Sequence, residues 1–80
     1  MNHTDILNSL LSNTGVVKFS TKGYNILKLT SEYGSDAWFL VRPYVEDETF
    51  KYEILRYRID NSDNALDRML DEARELGIVF

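Results

Sequence analysis

The segment Asp36-Ala37-Trp38-Phe39-Leu40-Val41-Arg42-Pro43-Tyr44-Val45 alternates with a period of two. Successive side chains of a strand point to opposite faces. Trp38, Leu40 and Tyr44 therefore share one side, and Ala37, Phe39, Val41 and Val45 share the other. Apolar residues on both sides predict a central strand covered twice. Pro43 has no amide hydrogen for a ladder, which places it at the strand end or at an unpaired position.

Working outward, Val16-Val17-Lys18-Phe19-Ser20 is β-branched and aromatic, and reads as a strand. Thr21-Lys22-Gly23 is a tight turn, and Tyr24 to Thr30 is a second strand with Tyr24, Ile26 and Lys28 opposite Leu27 and Leu29. Residues 31–35 have hairpin length and contain Gly34. Beyond the central strand, Glu46-Asp47-Glu48 forms an acidic turn, and Phe50 to Asp60 a fourth strand. There the alternation slips: Phe50, Tyr52 and Ile54 fall out of phase with Leu55, Tyr57 and Ile59. A β-bulge near Ile54-Leu55 brings all six to one face; the alternative is a long strand covered on different sides along its length.

Helical patterns flank the strands. Ile6, Leu7, Leu10 and Leu11 make an apolar stripe over residues 4–12, with Thr4 as cap and Gly15 beyond the stop. Asn61 to Leu76 is the stronger helix, capped by Asn61 or Ser62, with Ala65, Leu66, Met69, Leu70, Ala73 and Leu76 as its stripe. Gly77 ends it, and Ile78 is placed for the accompanying apolar contact. The expected fold is one α+β domain over residues 1–80: a short N-terminal helix, a four-stranded antiparallel meander and a C-terminal amphipathic helix packed on the sheet. With both helices on one sheet face, the other face is expected to be partly solvated and to display tyrosines.

Composition narrows the class. The chain has no cysteine, no export signal and no apolar run near ~20 residues, so a soluble, cytoplasmic protein is expected. The net charge of −4 is uneven: residues 1–45 hold three acids against four bases, and residues 46–80 hold ten against five. Direct nucleic-acid or anionic-membrane binding needs clustered Lys and Arg, so neither is expected, while a basic protein partner is.

No catalytic constellation is legible. The single histidine, His3, lies next to the first residues, and the four glycines are isolated. Asp60, Ser62, Asn64 and Asp71 faintly echo a calcium loop, but Ala65 stands at the glycine position and Asp71 at the bidentate glutamate position. No cofactor, metal or catalytic residue is therefore assigned.

Asp63, Asp67, Asp71 and Glu75 are spaced four residues apart on the strong helix. Like charges at this spacing repel by about 0.2–0.5 kcal/mol per pair. At ~1.5 Å rise per residue they form a ladder of carboxylates about 6 Å apart, close to the spacing of phosphates along a nucleic-acid strand. Arg68 can reach Glu72, and Arg74 can reach Asp71, relieving part of the repulsion. Glu46, Asp47 and Glu48 extend the acidic footprint, with Tyr44 beside them, a composition suited to a protein interface.

The layout resembles a phage-encoded family of inhibitors. A small acidic cysteine-free chain opens with Met-Asn and a short helix, then runs through a meander to an acidic C-terminal segment. It is similar to the small anti-CRISPR proteins that occupy the DNA-binding surface of a type II effector. Asp5-Ile6-Leu7, Val17-Lys18-Phe19-Ser20 and Ile26-Leu27 fall at similar places. No family motif transfers residue by residue, and Arg68 and Arg74 depart from an all-acidic DNA mimic. The resemblance implies a non-enzymatic inhibitor of a basic host protein that handles nucleic acid. The alternative expectation is an antitoxin or immunity-type protein neutralising a basic toxin.

Overall fold

The computed structural model describes residues 14–31 and 33–80. Four antiparallel strands follow one another as a meander: β1 (Val16–Thr21), β2 (Tyr24–Thr30), β3 (Asp36–Glu46) and β4 (Thr49–Ile59). One helix, α1 (Ala65–Glu75), follows. The helix expected over residues 4–12 lies outside the described residues.

Strand β3 is central, paired on one side with β2 from Thr30↔Asp36 to Asn25↔Val41 and on the other with β4. Its apolar residues accordingly enter two separate clusters. Trp38 and Leu40 join Ile26 from β2 and Ala65, Met69 and Ala73 from α1. Phe39 and Val41 join Leu27 and Tyr52 on the opposite face. Pro43 is paired with Tyr52 in β4 but lies beyond the last β2 pair, so among the described residues nothing pairs with the other side of β3 there.

The second face is partly solvated: a buried cluster lies at its middle, while Val45, Phe50, Tyr57 and Ile59 are largely exposed. Leu27, Phe39, Val41 and Tyr52 on that face are buried. Tyr57 alone among its tyrosines is largely exposed, stacked on Phe39 with centroids 6.0 Å apart. The apolar row on this face runs the length of β3 and β4, and its ends stay exposed at Val45, Phe50 and Ile59. Cross-strand partners share a face, and Ala37–Ile59, Phe39–Tyr57, Val41–Ile54, Pro43–Tyr52 and Val45–Phe50 all pair across β3 and β4.

The slip in β4 is a bulge. Leu40 pairs with Arg56 and Val41 with Ile54, leaving Leu55 unpaired. Phe50, Tyr52, Ile54, Tyr57 and Ile59 thereby share one face. Leu55 stays out of this row, against the expectation that a bulge brings all six residues to one face. The extra residue packs against the helix-side cluster.

Helix α1 begins later than its sequence pattern implies. Asn64, in place of the expected Asn61 or Ser62, occupies the cap position, and its side chain makes no capping bond. The Asn61 side chain accepts the Asp36 amide at 2.7 Å and donates to the Gly34 carbonyl at 3.0 Å, binding the β2–β3 loop to the β4–α1 connection. The C-terminal end matches the reading. Gly77 adopts φ 79°, Ile78 N donates to Ala73 O at 3.0 Å and Gly77 N to Arg74 O at 2.9 Å. These are the two bonds of a Schellman ending, and Ile78 packs into the core beside Ala73 as that motif requires. Phe80 is half-buried and meets Phe19 edge-to-face at 6.1 Å, so the last residues dock without adding a strand.

Candidate functional site

The connection from β4 to α1 sorts the charges of the acidic region. Asp60 is its hub. The Asp60 amide donates to Asp36 O at 3.0 Å, and its carbonyl accepts Trp38 Nε1 at 2.9 Å. Its carboxylate accepts the Ser62 amide at 2.9 Å and faces Arg58 at 3.3 Å and Arg68 at 3.6 Å. Arg58 also approaches Glu72 at 3.9 Å. The Ser62 hydroxyl and amide hold the Asp60 carboxyl below the usual carboxylate range, with Arg68 and Arg58 contributing against the opposing effect of desolvation. Arg58 Nε, Asp60 Oδ2 and Glu72 Oε2 are buried without hydrogen bonds, so mutual charge holds this cluster together. Arg68 therefore pairs with Asp60, and the expected Arg68–Glu72 contact is replaced.

The outward residues of the helix are charged, three acids with Arg68 and Arg74 among them. Asp67, Asp71 and Glu75 are exposed along α1. The apolar stripe explains this: Ala65, Met69 and Ala73 point into the core, and the acid row lies on the other side. Asp71 is held at 3.5 Å by Arg74, as expected from the sequence. Asp63 is exposed but lies in the turn before α1, so the helical ladder has three rungs and its first member is set by the turn.

Glu46, Asp47 and Glu48 sit at the tip of the β3–β4 hairpin. Asp47 and Glu48 both have positive φ, 51° and 63°. This is the two-residue hairpin geometry that selects Asn-Gly or Asp-Gly, so Asp47 suits its position and Glu48 is the strained one. Glu46 faces Lys51 at 3.6 Å. Tyr44 is half-buried and lies under the Arg42 guanidinium at 5.3 Å.

The two acidic sets do not form one continuous footprint. Leu40 packs in the helix-side cluster, and the tip begins six residues further along β3, about 20 Å at ~3.4 Å per residue. Asp63 lies near the opposite end of β3, where Asp60 pairs with Asp36. Sequence reasoning missed the exposed Val45 and Phe50 beside the tip as a possible contact surface. The available signal was length: the third and fourth strands run well past the second.

Among the described residues, no group of three or more His, Cys, Asp or Glu side chains is placed to hold a metal ion. Among the same residues, no helix is long and apolar enough to cross a membrane. No protein-family model, no curated protein and no solved structure matches the chain. The functional reading rests on geometry and charge.

Proposed function

We propose that this is a non-enzymatic acidic binding protein, a phage or mobile-element inhibitor that occupies a basic nucleic-acid-binding surface of a host protein, a CRISPR effector or similar machine. The observation that carries this reading is the division of charge on α1. Arg68, itself exposed, and Glu72 lean to the Asp60 cluster, while Asp67, Asp71 and Glu75 stay exposed, with Arg74 offsetting only Asp71. An exposed acidic face attracts a basic groove over a Debye length, about 8 Å at physiological salt, and speeds encounter. Asp63 prolongs the row from the preceding turn, and the hairpin tip offers a separate acidic contact.

The test uses a purified type II effector loaded with guide RNA and a labelled target duplex. The wild-type protein is expected to reduce target binding. The Asp67→Asn, Asp71→Asn double variant is expected to do so more weakly at unchanged melting temperature. The difference should lie mainly in association rate and shrink as salt rises. Undiminished inhibition by the double variant at low salt removes the helix from the interface. A wild-type protein that leaves target binding untouched removes this effector as the partner.

A further inference from the structure

The β3–β4 hairpin continues where β2 stops. The last β2–β3 pair is Asn25↔Val41. Among the described residues, 42–46 and 49–53 pair only with each other, through five cross-strand pairs that make an arm about 17 Å long at ~3.4 Å per residue. A two-stranded ribbon is marginal by itself in water. This one is braced on its polar side. Arg42 grips Glu53 through Nε at 3.1 Å and through Nη2, and it lies over the Tyr44 ring at 5.3 Å. Lys51 meets Glu46 at 3.6 Å.

The opposite side of the arm is apolar, with Tyr52 buried at its base and the Val45–Phe50 pair open toward the tip. Val45 and Phe50 are cross-strand partners, 70% and 52% exposed, and neither belongs to a core cluster. The Phe50 ring stands edge-on to Tyr52 at 5.0 Å, which fixes its orientation. The fold does not need an exposed, oriented aromatic on a braced arm, whereas an interface uses such a residue as an anchor.

We propose that the Val45–Phe50 face of the arm is a second docking surface that seats in an apolar recess bordered by Lys and Arg on the partner protein. This rests on the reading of a basic partner given above. Charge selects the occupant. Glu46, Asp47 and Glu48 surround the end of the arm, and they repel an anionic membrane or a phosphate backbone. Pro43 lacks an amide hydrogen on the side of β3 that nothing pairs with among the described residues, so the arm is a poor template for strand addition there and engages through its face.

Two fluorescein-labelled probe peptides test this. One is oligolysine, and the other is a basic amphipathic peptide of repeating Leu-Leu-Lys-Lys units. Binding is read by anisotropy for the wild type, Phe50→Ser, Phe50→Tyr and Asp67→Asn, Asp71→Asn proteins, with melting as the folding control. The wild type is expected to prefer the amphipathic peptide. Phe50→Ser should weaken that binding by roughly tenfold or more, Phe50→Tyr should restore it, and oligolysine binding should be unchanged in both. Equal binding of the amphipathic peptide by wild type and Phe50→Ser overturns the arm while leaving the acidic helix in place. Loss in Phe50→Ser with none in the helix variant supports the arm and removes the helix. Binding of neither peptide overturns both. A wild-type dimer in sedimentation that Phe50→Ser dissolves shows that a second copy occupies the face, and it overturns the proposed partner.

Discussion

The Trp38 indole Nε1 donates to the Asp60 carbonyl at 2.9 Å, joining the central strand to the start of the helical connection. Trp38 is buried in the helix-side cluster, and Lys28 lies over its ring at 5.5 Å. One side chain thus packs under α1 and fixes the backbone that launches it.

Replacing Trp38 with Phe keeps an aromatic ring but strands the Asp60 carbonyl. Loss of a buried partner costs about 1–3 kcal/mol, with a packing loss added. Urea unfolding followed by circular dichroism should show a lower midpoint for Trp38→Phe. An unchanged midpoint would show that water replaces the indole at no cost.

Met69 is fully buried between α1 and the sheet, whereas Leu66 is half-buried. Met69→Ala should cost about 2–5 kcal/mol, a large part of the stability of so small a domain. Leu66→Ala should cost less. Trp38 fluorescence during urea unfolding reports both, and the reverse order would mean that α1 is rotated about its axis.

Asp60 makes stability fall with acid. Its folded pKa lies below the unfolded value of about 3.9. The carboxylate therefore stabilises the fold fully above that unfolded value, and the contribution is lost as pH falls through the folded one. Asp60→Asn should be less stable at neutral pH and should lose less on acidification below about pH 4. Parallel pH–melting curves for the two proteins would exclude Asp60 as a source of the acid dependence.

The hairpin tip is strained, since Glu48 sits at φ 63°. Left-handed geometry costs an ordinary residue about 1–2 kcal/mol that glycine avoids. Glu48→Gly should raise the melting temperature while removing a tip charge. A lower melting temperature would show that the Glu48 side chain supports the turn.

Much of the sheet was legible because its signals are local. The alternation of Asp36 to Val45 placed β3 at the centre, and the break between Ile54 and Leu55 marked a bulge. The bulge was legible only as one of two options, because pattern does not say which side an extra residue takes. Of the candidate site, the outward acid row was readable as the reverse of the Ala65, Met69 and Ala73 stripe.

By itself the sequence determined the strand order, the antiparallel meander, the apolar face of α1 and its Gly77 ending. Each depends on residues a few positions apart, through backbone geometry that repeats every two or 3.6 residues. Only the tertiary structure decided that Asn61 ties a distant loop instead of capping α1, and that Arg68 serves Asp60 instead of Glu72. It also decided that only the middle of the second sheet face is buried and that the Val45–Phe50 arm projects beyond β2. Those outcomes turn on partners far apart in the chain, where a polar side chain takes whichever donor or acceptor the fold brings nearest.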